Sequence, residues 1–436
     1  MKYCLILPLL LLGFQAKAQL QFNSLEEVLK YANANAISLK KGNIAEQIAN
    51  SEKKEAKSNL LPSINSSLGY NDNITLQPTL VPAQLINPAA EEGEFEELNF
   101  GTRYQYTRSL QAHWDILNFQ KIFSVQTAEI SREESKANTE LSRYNTYNQL
   151  ASTYYSILLT QESISIYEEN TELTTSIYEH AQTKYEEGII SEADLNLAKI
   201  NMLRSNSSLK LSQNNLDQFY LQLQSQLNTK ESIVVTDSPE NFVLVDPTIS
   251  TIHPEVLLQE VGLKKYNALV KQTKAIRLPS VSLMYQYNQT YATNEFLNFS
   301  DANVLPQQLF GIQLSWSGLF SPSSKQKIHQ SKLQVELQQL QLNNTKLIKQ
   351  KEDELLQSQL QQSSDQLQDT KEILALQEQN DIHTDNKYQG GIISLDQRLD
   401  KYGDLLNAQD NYLQSLANYT LAQYKIYIRQ IDFKSY

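Results

Sequence analysis

The sequence predicts a mainly helical fold with a smaller β part, arranged as two tandem repeats of helix, strand, strand and long helical hairpin. Three observations carry this. An eight-residue phrase is said twice, KYEEGIIS at 184–191 and KYQGGIIS at 387–394, with six of eight positions identical. Long Gln- and Leu-rich stretches flank each copy, and those on both sides of the first contain neither proline nor glycine. Short runs in which apolar and polar residues alternate precede each of these hairpins, and a period of two is strand chemistry. A repeat on this scale argues for one body built from two similar halves.

Residues 1–18 read as a signal peptide. Lys2 supplies a positive start, Leu5 to Phe14 a short apolar run, and Ala16 and Ala18 the small residues before a cut. The run is too short to anchor in a bilayer. The single cysteine, Cys4, lies within residues 1–18, upstream of that run, so residues 19–436 carry no thiol and no disulfide. The formal charge of −12 makes a poor nucleic-acid binder.

The first repeat, 19–232, opens with a helix over 24–60. Ser24 followed by Glu26 and Glu27 is a sound start, and Val28, Leu29, Tyr31, Ala32, Ala36 and Leu39 make a buried stripe. Leu61-Pro62-Ser63 ends it, because proline extends a helix poorly. A strand follows over about 63–76, with Ile64, Ser66, Leu68 and Tyr70 on one face. Next comes a loop with Pro78, Pro82, Pro88 and the acidic run 91–97. The second strand, about 103–117, puts Tyr104, Tyr106, Leu110, Ala112, Trp114 and Ile116 on one face, interrupted by Arg108. Residues 118–187 then contain no proline or glycine. As one helix they would reach roughly 100 Å, longer than most globular cores need.

A linker is expected over 233–253, holding Pro239 and Pro247. The second repeat, 254–436, restates the order. Leu278-Pro279-Ser280 is the twin of Leu61-Pro62-Ser63, strands are expected at about 280–291 and 310–319, and Trp316 answers Trp114. Leu333, Leu337, Leu340 and Leu347 mark a coiled-coil seam on the helix that follows.

The repeated phrase reads as a hairpin tip. Gly188 and Gly391 can take the positive φ of a helix C-cap. Ser191 and Ser394 can cap the next helix, and Asp194 stands where a capping-box acid belongs.

No stretch is apolar enough to span a bilayer as a helix, so any spanning part must be made of strands. Strands of about ten residues have that length. Four cannot close a barrel, and an open edge is not tolerated in lipid. Three copies would share twelve strands, with Tyr70, Tyr104, Tyr106, Tyr285, Tyr287, Tyr291, Trp114 and Trp316 as aromatic girdles.

With these features together the chain resembles the TolC-like outer-membrane efflux proteins. The likeness rests on the twofold repeat, the Leu-Pro-Ser lead-in to each first strand, the tryptophan near the end of each second strand, and the Tyr-x-x-Gly-x-x-Ser tips. The resemblance implies a homotrimer with a shared 12-stranded barrel in the Gram-negative outer membrane and a long helical tunnel in the periplasm. It implies a passive exit duct for efflux or type I secretion, contacting outer-membrane lipid. Its partners would be a periplasmic adaptor and a proton-driven or ATP-driven inner-membrane pump. It places a pore-narrowing aspartate on Asp400, leaves Gln397 where a second would stand, and makes the adjacent Asp396 a stand-in. Tyr388 and Asp194 match a tyrosine–aspartate link that holds the gate, and Ile393 falls where an arginine would join it. Gly188, Ser191, Gly390, Gly391 and Ser394 become the adaptor-facing tip.

The residues make no positive case for an enzyme or a cofactor. Five scattered histidines lack ligand spacing, and no phosphate loop, nucleophile elbow or HExxH occurs. Two other readings stay open: a periplasmic coiled-coil adaptor, and an outer-membrane structural or adhesive protein without a transport role.

Overall fold

The structure is a computed structural model that describes residues 19–239, 249, 251–317 and 320–431. The expected signal peptide, residues 240–248 and 250 of the expected linker, and residues 318–319 of the last expected strand lie outside the described residues. Contacts divide the chain into two units: Met1–Glu46 with Glu134–Glu260 and Gln341–Tyr436, and Gln47–Glu133 with Val261–Leu340. The units cut across the repeats, because each repeat contributes strands to one unit and a hairpin tip to the other.

The second unit holds the sheet. Strands β2 (Ser63–Asp72), β5 (Tyr104–Leu117), β7 (Ser280–Thr293) and β8 (Asn303–Ser315) pair antiparallel in the order β2-β5-β7-β8. The fourth strand starts well before the expected 310: it takes in Val304-Leu305-Pro306, and within one chain it is an edge strand, where a proline is tolerated. The register Leu68↔Arg108↔Gln289↔Pro306 defines two faces. One carries Ile64, Leu68, Tyr70, Leu110, Trp114, Tyr285, Phe310, Ile312 and Leu314, all substantially exposed. The other carries Ser63, Asn65, Ser67, Gln105, Thr107, Ser109, Gln111, Gln286, Asn288 and Gln313. Strands β2 and β8 form open edges.

The sequence repeat survives down to single hydrogen bonds. The Trp114 indole N–H donates to the Leu60 carbonyl at 2.9 Å, and the Trp316 indole N–H to the Arg277 carbonyl at 2.8 Å. Each acceptor stands two residues before its proline, so each tryptophan ties a strand end to the helix that delivers the other strand. The loop between β2 and β5 holds a hairpin that alternation did not reveal, β3 (Pro78–Pro82) with β4 (Phe95–Asn99).

The first unit is helical. The expected first helix divides into α1 (Leu25–Asn35) and α2 (Ile37–Ser58), broken where Ala36 is extended. The long helices are α3 (Phe119–Glu186), α4 (Glu192–Leu227), α6 (Pro322–Gln389) and α7 (Leu395–Gln430), with α5 (Pro254–Ala275) opening the second repeat. Val28, Leu29, Ala32 and Leu39 pack with Tyr147, Leu150, Tyr154, Ile157, Leu223, Leu227 and Ile428 in one core. Above that core β1 (Gln19–Phe22) pairs parallel with β6 (Ser232–Val235). The linker expected from residue 233 therefore begins later: Ile233 and Val235 are buried in the core, which makes this end of it a strand.

The linker's far end is also held. Arg429 binds Asp353 through Nε and Nη2, each at 2.9 Å, and reaches Thr251 Oγ1 and its carbonyl at 2.9 and 2.8 Å. His253 is buried beside Tyr144, and its Nδ1 accepts the Glu255 backbone N–H at the start of α5. Burial, then Arg429 and Lys349, lower its pKa to about 4, opposed by Asp353 and Glu255. A base with a depressed folded pKa is neutral when folded and takes up a proton on unfolding. Its stability contribution is therefore lost as pH falls from about 6.5, the unfolded value, toward 4. In His253→Asn, which keeps a capping acceptor but does not titrate, the melting temperature is expected to decline less steeply across that window. An unchanged slope would assign the acid sensitivity elsewhere.

Candidate functional site at the hairpin tips

Both tips are built alike. At the end of α3, Gly188 takes φ +73°, its N–H bonds the Tyr185 carbonyl at 2.9 Å, and the Ile189 N–H bonds the Lys184 carbonyl at 2.8 Å. At the end of α6, Gly391 takes φ +68°, with Gly391 N–H to Tyr388 at 3.1 Å and Ile392 N–H to Lys387 at 2.9 Å. These are paired C-terminal bonds that only a left-handed residue completes, which is why glycine recurs there. Ser191 and Ser394 then cap α4 and α7.

Two further sequence-predicted site residues, Asp194 and Gln397, are engaged in those caps. The Asp194 carboxylate accepts the Ser191 N–H at 3.1 Å and its hydroxyl at 2.7 Å, and these bonds lower its pKa. Gln397 plays the same part in the second tip, accepting the Ser394 N–H at 3.1 Å. The structure thus makes Asp194 and Gln397 equivalent, the third helical residue of a capping box.

Tyr388 is buried at 4% exposure, with Ile177, Ala181, Ala198, Leu395 and Leu399 around it. Its hydroxyl has no hydrogen-bond partner among the described residues, and Asp194 does not reach it. Lys184 instead lies over its ring, 4.0 Å from the centroid. Burial, then Asp385, raise the Tyr388 pKa, with Arg398 opposing.

The residue that sequence reasoning missed is Arg398. It is 0% exposed, on α7 among Leu395, Leu399 and Tyr402. Its Nη1 and Nη2 donate to the two carboxylate oxygens of Asp381 at 2.6 and 3.0 Å, and its Nε to Asp385 at 3.3 Å. This is a bidentate fork with a second carboxylate at its base, and it clamps α7 to α6 just behind the tip. The signal was present: an arginine on an apolar helical stripe, with two aspartates four residues apart on the preceding helix.

A groove of about 850 Å³ runs beside this clamp, lined by Asp381, His383, Lys387, Gln397, Asp400 and Asp404 among others. Asp400 and Asp404 stand one turn apart on it, and Asp404 also meets Lys401 at 3.1 Å. Asp396 is exposed and is not part of that lining. Gly188, Ser191, Gly390, Gly391 and Ser394 are all exposed. Among the described residues no group of three or more His, Cys, Asp or Glu side chains is placed to hold a metal, and no helix is long and apolar enough to cross a membrane.

Residues 28–229 match the family model described as outer membrane efflux protein. No curated protein matches the sequence. Among solved structures, the chain is similar to the CmeC outer membrane channel of Campylobacter jejuni, at 16% identity and TM-score 0.75, covering 94% of this chain and 88% of that one. It is similar to a membrane protein from Pseudomonas aeruginosa at 12% identity and TM-score 0.78, covering 93% and 92%. It is also similar to the open state of the Neisseria gonorrhoeae MtrE outer membrane channel, at 13% identity and TM-score 0.70, covering 93% and 88%.

Proposed function

We propose that this chain, whose residues 28–229 match the outer membrane efflux protein model and whose fold is similar to solved outer membrane channels, is a TolC-like exit duct of a tripartite efflux or type I secretion system in the Gram-negative outer membrane. It works as a passive homotrimer without catalysis or cofactor. The sheet carries the reading: one face is apolar, the other polar, and both edges are open. Such a sheet is unstable in water and in lipid alone, and three copies closing twelve strands satisfy both edges at once. Leu333, Leu337, Leu340 and Leu347, each at least half exposed in the single chain, would be covered in the same assembly.

Residues 1–18 would direct export. The tips, with Gly188, Ser191, Gly390, Gly391 and Ser394, would meet a periplasmic adaptor, and an inner-membrane pump would supply the energy. Asp400 is the candidate pore residue. Gln397 is occupied in its cap, and Asp404, which shares the Asp400 groove, joins the exposed Asp396 as a candidate for a second acidic ring.

The testing experiment is light scattering of the detergent-extracted protein with single-channel recording in a planar bilayer. A trimer with small, cation-selective conductance is expected; a monomer that stays soluble without detergent would overturn the duct. In Asp400→Asn, three carboxylates leave the constriction together, and cation selectivity is expected to fall several-fold with divalent block relieved. Unchanged selectivity would move the ring to other residues.

A further inference from the structure

The apolar face of the sheet carries one cation that its surroundings do not neutralise. Arg108 is exposed there, paired across the ladders with Leu68 on one side and Gln289 on the other. Its Nε donates to Gln289 Oε1 at 2.8 Å, its Nη2 donates to the same oxygen, and the Tyr287 hydroxyl donates to that oxygen at 3.1 Å. The guanidinium also lies 5.7 Å from the Tyr291 ring centroid. Gln289 therefore orients the arginine without cancelling its charge. No carboxylate among the described residues pairs with it, whereas Arg103, near the same end of the sheet, is bonded to Asp72 at 3.0 Å.

Its height on the sheet is marked by aromatic residues. Tyr70 stacks on Tyr106 at 5.2 Å, and the loop after β7 folds over both: Phe296 packs on Tyr70 and Tyr104, and Phe299 on Tyr106 and Tyr291. The Tyr106 hydroxyl fixes this loop by accepting the Leu297 N–H at 2.9 Å. Phe296 and Leu297 stay more than half exposed. Arg108 stands one strand repeat inside this aromatic rim, and Leu110, Trp114 and Ile116 continue the apolar face beyond it. A cation is costly at the middle of a bilayer and nearly free at its interface. At the rim an oriented guanidinium attracts phosphate, which matches its fork.

We propose that Arg108, held by Gln289 beneath the Tyr70–Tyr106–Phe296–Phe299 rim, binds the phosphate of an anionic lipid headgroup in the outer leaflet, the acyl chains lying along Leu68 and Leu110. The proposal rests on the outer-membrane reading of the sheet.

The test is native mass spectrometry of the detergent-extracted protein titrated separately with phosphatidylglycerol, with a lipid A phosphate, with zwitterionic phosphatidylethanolamine and with inorganic phosphate. Wild type is expected to retain a phosphate-bearing anionic lipid about fivefold better than the zwitterionic one, and Arg108→Gln to lose that preference. Which of the two anionic lipids is held more tightly identifies the source. Equal retention by wild type and Arg108→Gln overturns the site, and so does displacement of the lipid by millimolar inorganic phosphate, which would make it a simple anion site. Light scattering in parallel separates the two readings. A wild-type chain that is monomeric and needs no detergent sinks the barrel itself, while an intact trimer without an Arg108-dependent preference sinks only the lipid site.

Discussion

Arg398→Ala is expected to loosen the second hairpin tip and raise the leak through the proposed duct while the proposed trimer persists. The wild-type guanidinium is fully buried and satisfies Asp381 twice and Asp385 once. Removing it leaves two partly buried carboxylates facing each other, and breaking a buried pair from one side costs about 3–5 kcal/mol. That loss falls where α6 meets α7, beside the groove holding Asp400 and Asp404. Differential scanning calorimetry should show a lower transition, and single-channel recording a larger or noisier conductance. Arg398→Lys should restore little, because a single ammonium cannot span both carboxylates. Replacing Arg398 with Met together with Asp381 and Asp385 by Leu should recover most of the stability, since an apolar substitute for a buried ion group is often neutral or better. A single Ala variant with wild-type melting and wild-type conductance would show that the clamp holds nothing.

Gly391→Val is expected to abolish most export without dissociating the proposed trimer. A Cβ at Gly391 would meet nothing within 4 Å, so the substitution adds no clash with another side chain. The penalty is in the backbone: at φ +68° a side chain costs roughly 1–2 kcal/mol, more when β-branched. The chain would relax by breaking the Ile392-to-Lys387 bond and re-aiming the tip. A loss of roughly tenfold in adaptor-dependent export is what ~1.4 kcal/mol of mis-positioning produces. Gly391→Asn should be milder, because asparagine tolerates the left-handed region. Export of a dye or drug from a complemented deletion strain measures this, and full export by the Val variant would remove the tip from adaptor recognition.

The tips were legible because their determinants are local. Glycine, two isoleucines and a serine carry the C-cap and the next N-cap within a few residues, and the structure forms both caps in both repeats. The strands were legible because alternation is a local signal too. What remained hidden depends on residues far apart in the chain. Ser232–Val235 becomes a strand only because Gln19–Phe22 lies beside it. The β3–β4 hairpin sits in a segment whose prolines and acidic run suggested only a loop. Asp194 and Tyr388 share the tip region, yet the carboxylate is taken by its own cap and the ring by Lys184.

By itself the sequence determined the twofold plan, the caps at both hairpin tips and the faces of the strands. Each follows from periodicity or from the conformational limits of a few neighbouring residues. The tertiary structure alone decided which charges are brought together and which are not: Arg398 with Asp381 and Asp385, Arg429 with Asp353, and Arg108 on the apolar face without a carboxylate partner among the described residues. Pairing of that kind depends on the register between helices and between strands. A charge on one segment carries no record of what another will bring beside it, and the balance of desolvation against ion pairing is settled only once packing has set the distance between them.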